Sequence, residues 1–252
     1  MPLSPPSSAP PYFRPYLGVI YDMDGTLVDS RLDFSRMRHA VIELAGRSGV
    51  PPGELHPTMS IPHLLGYARD RLQQLGLPPG VYLRLEAEAN HRLDELELEA
   101  LDRVTLVPDA LEHLRRMRES GYRLGILTRS SEGFTRGALR KEGLLDLFDR
   151  IRTRSDSGPA KPDPESLRVL LSDMGVPRER AVYVGDMPAD LECASGAGVD
   201  FIAFVAEGGS AAAREEELRR KGARRLAHGM AELHREITGR ALREPPPTGA
   251  SR

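Results

Sequence analysis

The sequence predicts an α/β chain: a three-layer core with a central parallel sheet, interrupted after its first strand by an all-helical insert. Three observations predict this. From residue 105 onward, short apolar runs alternate with amphipathic segments, the pattern of successive β and α units. Residues 31–104 hold no β-branched run and place their apolar residues at helical spacing. The chain has 252 residues, enough for both parts.

The elements follow in order. Residues 1–16, MPLSPPSSAPPYFRPY, are rich in Pro and Ser and lack the apolar stretch of a signal peptide, so a flexible extension is expected. Leu17 to Tyr21 is a short apolar strand. The insert then reads FSRMRHAVIELAG, IPHLLGYARDRLQQLG and VYLRLEAEANHRLDELELEALDRV, three helical stretches. Its breaks fall at Gly49-Val50-Pro51-Pro52 and Leu77-Pro78-Pro79-Gly80. A helix opens at Pro108, where proline suits a first turn, and stops at Gly121. Residues 122–128, YRLGILT, are a strand, followed by a helix over 131–142 and a short strand near 148–153. Pro164 to Met174 is a helix, Ala181 to Gly185 a strand, 189–197 a short helix and 200–205 a further strand. Helices near 211–221 and 229–240 close the fold, and 243–252 is expected to be a flexible tail. The expected division is a core of 17–30 and 105–242 around an insert of 31–104.

Composition narrows the class. Forty per cent apolar and 29 per cent charged residues are ordinary globular values. A net charge of −2 gives no sign of a nucleic-acid partner. No apolar run approaches the length of a membrane helix. The single cysteine, Cys193, excludes an intramolecular disulfide and suits a reducing cytoplasm. Lysine is confined to Lys141, Lys161 and Lys221, so any chemistry that needs a lysine has three candidates.

The most informative segment is LGVIYDMDGTLVDS, residues 17–30. Asp22 and Asp24 stand at i and i+2 where the first strand opens into a loop, so both carboxylates can converge on one spot. Two close carboxylates repel unless a cation or shared proton relieves them. Mg²⁺ favours such oxygen ligands. One Asp can serve as nucleophile and the other as proton shuttle. The plainer alternative is a strand ending in an Asp-Gly turn.

Three later segments carry matching chemistry. The strand 122–128 ends in Thr128, followed by Arg129. Ser157-Gly158-Pro159-Ala160-Lys161-Pro162-Asp163-Pro164 places one of the rare lysines in a loop that leads into a helix. VYVGDMPADLECASGAGV ends a strand at Gly185-Asp186, with Asp190 opening the next helix.

Together these segments resemble the four motifs of the haloacid dehalogenase (HAD) superfamily: DxDGT, a strand ending in Ser or Thr, a loop lysine, and GDxxxD. The resemblance runs from about residue 17 to about 205. It implies a Rossmann-like core and phosphoryl transfer in two steps. Asp22 would be the nucleophile and Asp24 the acid and base. Mg²⁺ would be held by Asp22, the Asp24 carbonyl and Asp186, with Asp190 close by. Thr128, Lys161 and main-chain N–H groups at Met23 and Gly25 would hold phosphate oxygens, and Arg129 would face substrate. Lys161 would stand in a solvated cleft.

The acid at Asp24 argues for phosphate esters, since dehalogenases of the superfamily lack it. Residues 30–106 contain no lysine, which disfavours the phosphonate-cleaving branch. The insert stands where the superfamily carries its type C1 cap, and the chain resembles the phosphoglycolate phosphatases and their relatives. A small phosphorylated metabolite is the implied partner; monomer and homodimer both remain open. Two other readings share the motifs: a sugar phosphomutase of the β-phosphoglucomutase type, and a non-catalytic scaffold.

Other features have ordinary explanations. His39, His63 and His91 read as surface or cap residues, and Cys193 as packing. Arg31, Arg36 and Arg38 are either ordinary surface charges or ligands for an anionic leaving group. The charge run from Arg214 to Lys221 reads as a solvated helix face.

Overall fold

The structure, a computed structural model, describes residues 16–206 and 211–242. The expected extension at 1–16, apart from Tyr16, and the expected tail from 243 on lie outside the described residues. The chain divides into two compact units. One holds residues up to Asp29, Leu106–Arg129 and those from Glu142 on; the other holds Ser30–Thr105 and Ser130–Lys141.

The helices are α1 (Phe34–Arg47), α2 (Ile61–Gln74), α3 (Pro79–Ala100), α4 (Ala110–Glu119) and α5 (Glu132–Lys141). They continue with α6 (Pro164–Met174), α7 (Pro188–Ala197), α8 (Ala211–Arg220) and α9 (Met230–Thr238).

In the helical unit, α1 to α3 pack on a core that includes Val41, Leu64, Leu72, Leu85 and Leu93. Asp33 caps α1 by accepting the Arg36 N–H at 2.9 Å, and Ser60 caps α2. Helix α5 belongs to this unit for a physical reason. The buried Glu97 carboxylate on α3 accepts the Ser131 N–H at 2.9 Å, at the start of α5. At its other end, Lys141 Nζ donates to the Asp102 and Val104 carbonyls, each at 2.8 Å.

The other unit is built on a six-stranded parallel sheet. Its strands are β1 (Gly18–Tyr21), β2 (Arg123–Leu127), β3 (Arg150–Arg152), β4 (Ala181–Gly185), β5 (Asp200–Val205) and β6 (Leu226–His228). Their order is β3-β2-β1-β4-β5-β6. The chain winds outward from β1 on one side and from β4 on the other, so the topology switches between these two strands. In register, Tyr21 stands beside Ile126 of β2 and Val184 of β4. Asp22 extends the pairing, its N–H donating to the Val184 carbonyl at 2.8 Å.

Strand alternation gives β1 two buried faces. Ile20 packs with Leu167, Leu170 and Leu171 of α6 and with Cys193 and Ala194 of α7. Tyr21 meets the edge of His113 on α4, and His113 meets His234 on α9. Cys193 is fully buried as expected. Among the differences from the sequence expectation, two have a plain physical reason. Helix α4 starts at Ala110, because Asp109 turns the chain with φ 63 just before it. Strand β6 has no counterpart in the sequence reading: three residues at a sheet edge carry too little pattern.

Candidate active site

The loops after β1, β2 and β4 bring the candidate residues together because they emerge side by side at the switch point. Asp22 follows β1, Thr128 follows β2 and Asp186 follows β4. Asp22 is 6 % exposed and Thr128 is 4 % exposed, so both face inward.

The turn after Asp22 is tightly wound. The Met23 carbonyl accepts the N–H groups of Leu27 and Val28 at 2.8 and 3.0 Å, and the Gly25 N–H donates to the Val28 carbonyl at 2.8 Å. The Met23 side chain is fully buried, so only its main chain can meet a ligand. Gly25 has φ +77, and a Cβ there would lie 2.5 Å from Asp186 Oδ2. Both the turn and the approach of Asp186 require glycine.

Lys161 is the largest departure from expectation. It does not stand in a solvated cleft; it is 4 % exposed. Its Nζ donates to Asp22 Oδ1 at 2.6 Å and to Asp190 Oδ1 at 2.8 Å. A buried ammonium is tolerated when paired and hydrogen-bonded in this way. The two carboxylates hold its pKa above the ordinary lysine value in spite of burial.

Asp190 is fully buried at the start of α7. Its Oδ2 accepts the Met187 N–H at 3.0 Å, and its Oδ1 also accepts the Tyr183 hydroxyl at 2.8 Å. These donors, with Lys161, make it the least open of the acids for a further ligand. Gly185 allows the approach, since a Cβ there would lie 2.5 Å from the Asp190 carboxyl.

Asp22, Asp186 and Asp190 offer oxygens that all lie within 4.8 Å of one another. Burial comes first and the neighbouring charge of Asp190 also acts to raise Asp22 to about 7, against the pull of Lys161. Burial and the charges of Asp22 and Asp190 push Asp186 well above the ordinary carboxylate range. Asp186 Oδ1 is buried and has no hydrogen-bond partner among the described residues. A surplus of hard oxygen donors with one orphaned among them fits a divalent cation such as Mg²⁺. Asp24 is not one of these three acids; it is half-buried, and its charge acts on Asp186.

Arg129 donates from Nη1 to the Lys161 carbonyl, tying the end of β2 to the lysine loop. Burial, and the charge of Arg154, bring its guanidinium down to about 10. The Arg129 carbonyl accepts Arg154 Nη1 at 2.9 Å. In the helical unit, Arg36 is paired with Glu99 at 2.5 Å. The histidine readings hold: His39 Nδ1 contacts the Ser35 carbonyl, His63 sits at the Ser60 cap, and the His91 side chain is 78 % exposed.

Two residues of the cluster escaped sequence reasoning. Tyr183 looks like one more apolar residue of β4. Arg214 reads in sequence as part of a solvated charge run; in the structure its Nη1 donates to Asp186 Oδ2 at 2.5 Å. No local pattern distinguishes it from the other charges of α8.

A doubly wound sheet with an acid–lysine cluster at its switch point defines an α/β enzyme that handles an anionic substrate. The chain matches the haloacid dehalogenase-like hydrolase family over residues 19–204, and it belongs to that family. It is a phosphatase of that family. A phosphoglycolate phosphatase of Cereibacter sphaeroides is 31 % identical over 198 residues, 75 % of this chain and 84 % of the relative. One from Aliivibrio fischeri is 29 % identical over 195 residues, 74 % of this chain and 83 % of the relative. Among solved structures, a HAD family hydrolase from Deinococcus radiodurans with bound phosphate and sodium has a TM-score of 0.59 at 26 % identity, over 89 % of this chain and 96 % of that one. A hydrolase from Pseudomonas syringae has a TM-score of 0.62 at 21 % identity, over 89 % and 99 %, and shares the fold. Among the described residues, no helix is long and apolar enough to cross a membrane.

Proposed function

We propose that the chain hydrolyses a small phosphorylated metabolite, with phosphoglycolate the first substrate to test, through an aspartyl-phosphate at Asp22. The observation that carries this reading is the contact of Lys161 Nζ with Asp22 Oδ1 at 2.6 Å, inside a cluster of three acids. A buried lysine on a buried carboxylate orients that carboxylate and leaves a fixed positive charge where a phosphoryl group would sit. Phosphoryl transfer needs such positioning and charge neutralisation more than covalent chemistry.

In the first step an Asp22 oxygen bonds to phosphorus while the ester P–O bond breaks. Asp24 gives its proton to the leaving oxygen. In the second step water attacks the same phosphorus, Asp24 takes its proton, and the bond to Asp22 breaks to release phosphate. Thr128 and Lys161 hold equatorial oxygens. Asp190 and Tyr183 hold Lys161 in place, and Arg129 holds the lysine loop from behind. Asp22 and Asp186 would hold Mg²⁺, with Asp190 at their side; the cation would neutralise phosphoryl charge. In this reading residues 31–104 are the cap that favours one leaving group over another. The name of the Cereibacter relative supports the choice of phosphoglycolate.

The experiment is hydrolysis of phosphoglycolate and of a generic aryl phosphate by the parent and by Asp22→Asn. The parent is expected to turn over both with Mg²⁺ and to stop in excess chelator, with Ca²⁺ a poor substitute. Asp22→Asn is expected to be inactive; activity within about tenfold of the parent would remove Asp22 from the nucleophile's role.

A further inference from the structure

Arg214 connects α8 to the acid cluster in a specific way. Its Nη1 lies 2.5 Å from Asp186 Oδ2 and 3.1 Å from the Asp186 main-chain oxygen. One guanidinium nitrogen thus holds both the side chain and the backbone of the same residue. The other carboxylate oxygen, Oδ1, is buried with no partner among the described residues. The neighbouring acids, Asp22 and Asp190, share the Lys161 ammonium. The Asp186 side chain is 13 % exposed and that of Arg214 is 31 % exposed, so the contact lies at the rim of the cluster.

We propose that Arg214 is a positioning residue for the cation site: it fixes the Asp186 carboxylate through Oδ2 and leaves Oδ1 directed at the ion. The proposal rests on the reading of the cluster as a divalent-cation site. The division of the two oxygens is its basis. A carboxylate beside two others is repelled from them, and a free rotamer would turn it outward. A guanidinium on one of its two oxygens opposes that rotation and offsets part of the repulsion. Its long planar arm reaches the carboxylate from α8, a separate helix. Outer contacts of this kind set metal affinity, and removing one costs roughly 10–100-fold. The opposite arrangement, a guanidinium competing with the ion for the carboxylate, predicts the opposite sign.

The test is Mn²⁺ binding to the metal-free full-length protein, followed by the spin signal of free Mn²⁺ so that no turnover is read. The parent is compared with Arg214→Met and Arg214→Lys, each checked by circular dichroism and thermal midpoint. Arg214→Met is expected to weaken Mn²⁺ binding by at least about tenfold. Arg214→Lys, which keeps the charge but loses the planar reach, is expected to fall between the two. Unchanged or tighter binding in Arg214→Met would overturn the proposal while leaving the cation site intact. A parent that takes up no Mn²⁺ would overturn the cation reading itself, and the role of Arg214 with it.

Discussion

Lys161 and Asp22 form an ion pair sealed from solvent, with Nζ 2.6 Å from Oδ1 and side-chain exposures of 4 % and 9 %. The pair joins two loops 139 residues apart in sequence and ties the third motif to the first. In the proposed reaction such a contact is a catalytic device; in the fold it is a structural liability. Breaking a buried pair leaves an uncompensated charge, at a cost of roughly 3–5 kcal/mol.

Lys161→Met is therefore expected to lower unfolding free energy by several kcal/mol, on the order of 3. Lys161→Arg is expected to lose at least about a hundredfold in kcat/KM, roughly 2.7 kcal/mol of transition-state stabilisation. Guanidinium is larger and planar, and the space between Asp22 and Asp190 is closed, so Lys161→Arg is also expected to destabilise. On the sequence expectation, with Lys161 facing a solvated cleft, Lys161→Arg leaves stability little changed. Urea unfolding of both variants beside steady-state kinetics separates these outcomes.

Much of this was legible because the site follows strand ends. Apolar runs at 17–21, 122–128 and 181–185 announce β1, β2 and β4, and the polar residue after each is a candidate by position alone. Lys161 was legible by scarcity. Its burial was not, since a lysine in a proline-rich loop reads as solvated until its two carboxylates are placed in space. Tyr183 was hidden by its own apolar ring, and Arg214 by six charged neighbours in REEELRRK. Strand β6 was hidden because an edge strand of three residues needs only one neighbour, Ala203 to Val205 of β5, to form.

Gly25→Ala tests the geometry of the turn. The added Cβ would stand 2.5 Å from Asp186 Oδ2 at a backbone φ of +77. Either the turn or the carboxylate must move. The strain is about 1–3 kcal/mol, and the displaced acid is one proposed to hold the cation. A drop in Mg²⁺ affinity of more than about tenfold is expected, beyond the loss in stability. Calorimetric titration with Mg²⁺ checks it; parent-like affinity would show that the turn relaxes without disturbing Asp186.

Tyr183→Phe tests the support of the lysine. The hydroxyl donates to Asp190 Oδ1 at 2.8 Å, the oxygen that also accepts Lys161. Its loss leaves Asp190 with two of its three protein donors. A cost of about 1–3 kcal/mol is expected, because the acceptor is a buried charge. Asp190→Asn is expected to reduce kcat/KM more than Tyr183→Phe, since it removes the charge that anchors Lys161 directly. The reverse ranking in the two variants' kinetics would place the hydroxyl, not the carboxylate, in control of the lysine.

The last prediction concerns pH and a buried pair on the opposite face of β1. The Tyr21 hydroxyl lies 2.8 Å from His113 Nε2, and His113 Nδ1 lies 3.2 Å from His234 Nδ1. Burial, with the charge of His234, brings the His113 ring down to about 3 from an ordinary 6.5. The native ring is therefore neutral at neutral pH. In the unfolded chain the same ring takes up a proton below about 6.5. The unfolded state then binds more protons than the native state, and stability falls as pH drops from about 6.5 toward 3. Above 6.5 neither state is protonated there, and the ring contributes no pH dependence. One proton corresponds to a slope on the order of 1 kcal/mol per pH unit within that window. Carboxylates also titrate in the lower part of the range, so the measurement is a difference. Unfolding free energies at pH 7.5, 6 and 5 are compared for the parent and for Tyr21→Phe/His113→Leu, which removes the titrating ring together with the tyrosine hydroxyl it contacts and leaves His234 in place. The double variant is expected to lose stability less steeply below about pH 6.5, by about 2 kcal/mol at pH 5. Equal slopes in the two proteins would show that His113 is protonated in the folded state as readily as in the unfolded chain.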